Sequence, residues 1–173
     1  EGGFLSGVPV FRVAANQRTR AEILFIAPMT ALAIAAFLFL VFRSAGAVLL
    51  GIAPGVAGSF FLLAAMGYLG APLSITTMVL PSIILALGCA YSMHVLIAAS
   101  DTGVRATGSA ANLESALGRV GLPVALSGLT TALGLLAITF VPIEAVRMTG
   151  GYGALGVLVV TTLVLTLVPA GLA

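Results

Sequence analysis

The sequence predicts an all-α protein: a polytopic membrane helix bundle with five transmembrane helices over 23–173, preceded by a polar connector over 1–22. Three observations carry this prediction. Of the 173 residues, 61% are hydrophobic and only 7% are charged, far from the usage of a soluble domain. Five apolar runs, at 23–42, 47–69, 75–99, 120–141 and 150–169, are each close to the ~20 residues that cross a hydrocarbon core of about 30 Å as a helix. Most of the charges fall between or beyond these runs.

The connector from Glu1 to Glu22 carries Arg12, Arg18 and Arg20 and lacks the apolar core of a signal peptide. It is expected to be the end of an extracytoplasmic domain. The first span, Ile23 to Phe42, has no charge and places Pro28 in its first turns, where a missing amide hydrogen does least harm. Arg43 to Gly46 is a short hairpin connection into the second span. There Gly51, Gly55 and Ser59 recur every four residues, which brings small side chains onto one face and lets two backbones approach in lipid. Pro54 in the same span is expected to bend it.

After the turn at Gly70 to Leu73, the third span carries the groups with chemistry. Thr76 to Ala99 holds Pro81, Gly88, Cys89, Tyr91, Ser92 and His94 within an otherwise apolar run. Tyr91 and His94 are three residues apart and share a helix face, with Gly88 one turn earlier. Polar and ionisable groups at this depth turn toward a bundle interior or a wet cavity, so this helix is expected to be the inner member of the bundle. Pro81 predicts a kink, with the carbonyl of Thr77 losing its partner and a hydroxyl of Thr76 or Thr77 compensating. Cys89 is expected to be a small packing residue.

Asp101 to Arg119 is predicted as the longest loop of the bundle, with a short surface helix over Ala110 to Arg119 that turns Leu113, Ala116 and Leu117 to one side. The fourth span opens on Gly121-Leu122-Pro123 and carries Ser127, Thr130 and Thr131, whose hydroxyls either bond back to their own helix or line a pathway. Glu144 and Arg147 form a surface pair near the interface. The fifth span starts with Gly150, Gly151, Gly153 and Gly156, a smooth face for a neighbouring helix or a flat ligand. Arginine placement orients the bundle: Arg43, Arg105 and Arg119 lie in short loops on one side against Arg147 on the other, which favours the former as cytoplasmic.

The net charge of +2 is small and scattered, which argues against nucleic acid as a partner. A membrane protease or hydrolase needs an acid, a second His or a Lys within the spans. None is present, so the sequence predicts neither an enzyme nor a metal or cofactor site.

The order of motifs resembles one membrane repeat of the resistance-nodulation-division superfamily, in the branch of MMPL-type lipid transporters, hopanoid transporters and Patched-like proteins. The matching pieces are Gly7-Val8-Pro9, Phe42-Arg43-Ser44, Leu80-Pro81, the run Leu87-Gly88-Cys89-Ala90-Tyr91-Ser92-Met93-His94, Leu129 to Gly134, Gly153 to Val157, and Pro169-Ala170. The resemblance implies helices two to six of a six-helix repeat, called the sterol-sensing domain in eukaryotic relatives, in a bacterial inner membrane. It further implies a porter domain and a second transmembrane repeat in the same full-length protein, with membrane lipid and a hydrophobic or lipid-like substrate as partners. The family's run usually reads Gly-x-Asp-Tyr, and its Asp carries the protons that drive transport. Here Ala90 stands in that place. Tyr91 and His94 remain as relay candidates, histidine being the side chain whose ordinary pKa of about 6.5 lies nearest neutrality. The resemblance thus implies either a proton-driven exporter or, because Ala90 cannot titrate, an uncoupled lipid-binding module.

Overall fold

A computed structural model describes residues 25, 28–29, 32–71, 76–104 and 109–172. The connector over 1–22, the start of the first span, Pro72 and Leu73 of the Gly70 to Leu73 turn, and Arg105 lie outside the described residues. Among the described residues the chain is helical throughout. A short helix α1 (Leu32–Phe42) is followed by four helices long and apolar enough to cross a membrane: α2 (Ala45–Tyr68), α3 (Leu80–Asp101, led by a 3-10 turn at Thr77–Val79), α4 (Ala110–Ile138) and α5 (Glu144–Leu172).

The turn between α1 and α2 is tight. Arg43 takes a left-handed backbone conformation with φ 48°, and its amide donates to the carbonyl of Phe39 at 2.8 Å, closing α1. At the other end of α2, Gly70 has φ 63°, a conformation that glycine adopts at no steric cost.

Helix α3 is the inner member of the bundle. Eleven of its residues are buried, against four in the longer α4. It packs against α2, α4 and α5, and α2 also packs against α5. The contacts fix the directions: Gly58 of α2 faces Ile84, Gly51 faces Leu96, and α2 therefore runs antiparallel to α3. On α5, Gly153 meets Leu80 and Gly156 meets Ile84, so α3 and α5 run parallel. Gly128 of α4 lies under Thr161 of α5, and Gly150 lies against Leu135, so α4 runs antiparallel to both α3 and α5.

Two apolar clusters fill the bundle. One gathers Leu62, Met66, Leu80, Ile84, Ala132, Ala154, Val157 and Val160, and the other gathers Tyr91, Val95, Leu96, Val124, Val164 and Val168. Between them the predicted small-residue seam closes on bare backbone. A methyl built on Gly88 would lie 2.5 Å from the Cα of Gly55, and one built on Gly55 would lie 2.8 Å from the carbonyl oxygen of Leu85. Ser59 completes the seam: its hydroxyl is 2.8 Å from the carbonyls of Gly55 on its own helix and Pro81 on the next.

Three local expectations come out differently. Pro81 occupies the first turn of α3, and the amide of Leu80 donates to the carbonyl of Thr77. The irregularity expected at Pro81 is thus a 3-10 to α junction, where proline's missing donor removes no interior bond. The predicted surface helix at Ala110 to Arg119 and the fourth span form one continuous helix of 29 residues. At membrane depth a helix is the one local way to satisfy the remaining backbone groups, so the chain stays helical through Pro123. Likewise α5 begins at Glu144 rather than Gly150. A carboxylate in the first turn favours that start, and Arg147 meets it at 3.0 Å in an exposed ion pair.

Candidate functional site

Helix α3 presents two different faces. Toward α2 and α5 it offers Gly88 and Ile84, and the helices close tightly. Toward α4 it offers Tyr91, and facing it α4 offers Val120, Pro123, Val124 and Ser127. Pro123 has no amide hydrogen, so the carbonyl of Arg119 loses its helical donor at this level. The two helices stay apart here around a cleft of about 160 Å³ lined by Tyr91, His94, Val120, Pro123, Val124 and Ser127.

The cleft has a polar floor and an open side. Tyr91 is buried at 6% exposure, and its hydroxyl lies 3.4 Å from the hydroxyl of Ser127, a long hydrogen bond joining α3 to α4. His94, one turn along, lines the same cleft but lies on the outer surface of the bundle. Ala90 is four residues before His94 and is also exposed, so both belong to one outward stripe of α3 with Ala86 and Ile97. Ala90, which the resemblance matches to a proton-carrying aspartate, is thus at the bundle surface.

The other residues singled out in the sequence distribute as follows. Ser92 is in the core rather than the cleft, and its hydroxyl is fully buried with no partner among the described residues. Thr130 and Thr131 both donate to the carbonyl of Ser127, at 3.0 and 2.8 Å, and do not line the cleft. Gly51 packs against Leu38 of α1, Gly55 against Gly88, and Gly153 and Gly156 against α3. Cys89 is buried and free. Among the described residues no three His, Cys, Asp or Glu side chains gather where a metal could be held.

Of the cleft wall from α4, only Ser127 was among the hydroxyls expected to bond back or line a pathway; Val120, Pro123 and Val124 were not. The wall's signal was present: Arg119, Pro123 and Ser127 are spaced by four, which places a cation, a ring without a donor and a hydroxyl on one face.

Comparison with known proteins agrees with this architecture. A family-wide sequence comparison matches residues 4–173 to the MMPL family. The chain belongs to the MMPL family. Membership places it in the resistance-nodulation-division superfamily and makes it an integral, multi-pass membrane protein. It is also similar to a membrane protein of Methanocaldococcus jannaschii, 26% identical over 165 residues that cover 95% of this chain and 42% of the relative. The chain therefore spans less than half the length of that relative. No solved structure matches it.

Proposed function

We propose that this MMPL-family chain is the membrane half of a secondary transporter that exports a hydrophobic or lipid-like substrate, driven by the proton gradient across the inner (plasma) membrane. The observation that supports it is the cleft between α3 and α4. It gathers a phenol, a hydroxyl and an imidazole beside valine and proline walls. Such a surface suits an amphiphile and offers His94 as a group that can take up and release a proton. The acid that Ala90 lacks would come from a second transmembrane repeat of the full-length protein, and substrate selection from its porter domain. The module acts by binding and movement, not by catalysis.

The test uses the full-length protein in vesicles with an imposed proton gradient and a fluorescent lipid substrate. Transport is expected to stop with an uncoupler, and His94→Ala is expected to lower it by about a hundredfold, the lower range for a positioned proton-transfer group. Transport indifferent to both would overturn the proton-driven reading.

One observation favours a second reading. Ala90 replaces the usual acid, and no other acid lies deep within α2 to α5, since Asp101 ends α3, Glu144 starts α5 and Glu114 lies near the start of α4. On that reading the bundle is an uncoupled lipid-binding or sterol-sensing-like module. It predicts lipid binding without gradient-dependent movement.

A further inference from the structure

The α2–α3 seam contains one group that close packing does not account for. Ser92 is wholly buried, and its hydroxyl has no hydrogen-bond partner among the described residues. Elsewhere in the bundle a hydroxyl settles on its own helix: Ser59, Ser100, Thr161 and Thr166 each donate to the carbonyl four residues back, at 2.7 to 2.9 Å. Ser92 does not reach the carbonyl of Gly88 in this way, so its hydroxyl turns from its own helix toward what packs on it. A donor sealed in an apolar interior without an acceptor is costly, and native structures seldom leave one so.

The helix packed there is α2. Ser92 is four residues from Gly88 and four from Leu96, and it shares their stripe. Gly88 meets Gly55, and Leu96 meets Gly51. Because α2 and α3 are antiparallel, Ser92 stands at the level midway between these two glycines. The same stretch of α2 holds an acceptor without a donor. Pro54 is buried inside α2 and has no amide hydrogen, so the carbonyl of Leu50 loses its helical partner. That carbonyl points along the axis toward Pro54, which brings its oxygen to within about 2 Å of the level of Ser92. Leu50 packs on the cluster that includes Leu96 and Val164, so its side of α2 is turned into the bundle. The two orphan groups thus lie at one depth on adjoining helices, and they do not touch.

We infer that this seam holds one internal water, which accepts from the Ser92 hydroxyl and donates to the Leu50 carbonyl. Two bonds of about 2.8 Å let a water join oxygens up to roughly 5.5 Å apart, and two polar partners suffice to retain it. A cation is the poorer guest. Both oxygens are neutral, and Asp101, Glu114 and Glu144 all lie toward helix ends, so an ion here would be buried without a counter-charge. The water lets α2 carry a proline through the bundle interior without leaving a carbonyl unbonded at membrane depth. This inference does not depend on whether the protein transports or what drives it.

A double-substitution cycle on the full-length protein in detergent tests it, read by reversible unfolding. Ser92→Ala is expected to shift the equilibrium toward the unfolded state by about threefold, the mean for a hydrogen bond between membrane helices. In the Pro54→Ala protein, where the Leu50 carbonyl regains an amide donor, the same Ser92→Ala change is expected to have no effect. A neutral or stabilising Ser92→Ala in the native background would show a bare orphan hydroxyl and overturn the inference. So would an equal loss in both backgrounds, which would mean that Ser92 bonds its own helix. Exchanging choline chloride for sodium chloride is expected to change nothing; a sodium-specific gain that Ser92→Ala abolishes would make the guest a cation and overturn the water. Should Pro54→Ala fail to fold, an experimental structure fine enough to show ordered water decides: density about 3 Å from both oxygens is expected, and a dry seam would overturn the inference.

Discussion

The two sides of α3 show how one helix can make both a sealed joint and an open one. Against α2 it presents Gly88 to Gly55, and the backbones meet with no side chain between them. Against α4 it presents Tyr91 to Ser127 and Pro123, and the bulk of a phenol and a pyrrolidine ring holds the helices apart. In lipid there is little hydrophobic drive between helices, so close packing and hydrogen bonds decide where they seal. The sealed side has both: the glycine contact and the Ser59 hydroxyl across to Pro81. The open side has a single long hydrogen bond, and its α4 glycines 118, 121 and 134 meet nothing within 4 Å.

Substitutions that swap the character of the two sides test this contrast. The largest effect is expected at the seam. Gly88→Leu forces a side chain into the Gly55 backbone and should cost about 3 kcal/mol or more, the upper range of overpacking. Unfolding in mixed detergent titrations reads it, and a midpoint equal to the native protein's would break the account of the seam. Gly55→Ala adds one methyl against the Leu85 carbonyl and should cost about 1–3 kcal/mol by the same measurement. On the open side, Ser127→Ala removes the bond to Tyr91 and should cost only about 0.6 kcal/mol, the mean for hydrogen bonds between membrane helices. A loss as large as that at Gly55 would show the cleft to be a joint rather than an opening. Smaller still, Gly121→Ala places a methyl in open space and should leave stability unchanged or raise it by up to about 1 kcal/mol. Removing the exposed Glu144–Arg147 pair with Glu144→Gln should move the midpoint by less than about 0.5 kcal/mol, and added salt should erase even that.

The difference between the two sides was only half legible in the sequence. The number and order of the helices followed from the lengths of the apolar runs, and the Gly51–Gly55–Ser59 spacing pointed to a seam. Which glycines seal a contact did not follow. Gly128 lies under Thr161 while Gly134, six residues on, faces open space, and nothing in their neighbours' hydropathy separates them. A soluble helix announces its buried face by contrast with a polar one. Here Leu126 and Leu129 outside are as apolar as Val124 inside, because the surrounding lipid is too. Helix starts were misplaced for a related reason. Residues 110–119 and 144–149 are polar enough to resemble loops, yet Ala116 is fully buried and Glu144 suits a helix N-terminus. That Tyr91 and His94 share a face followed from their spacing, but of the two only Tyr91 turns inward as expected, since His94 lies exposed on the outer surface. Of the α4 wall opposite them only Ser127 was legible as a lining group, because the rest depends on the register between two helices.

The Gly55–Gly88 contact also bears on how the bundle can work. Side chains yield to strain by changing rotamer, but two main chains in contact have nothing to rotate. Helices α2 and α3 are consequently obliged to travel as one stiff plank, with Ser59 pinning its end. On the far side of the phenol α4 is free of that plank but bound closely to α5 through Gly128 and Gly150, so any rocking that admits or expels a guest takes those two together.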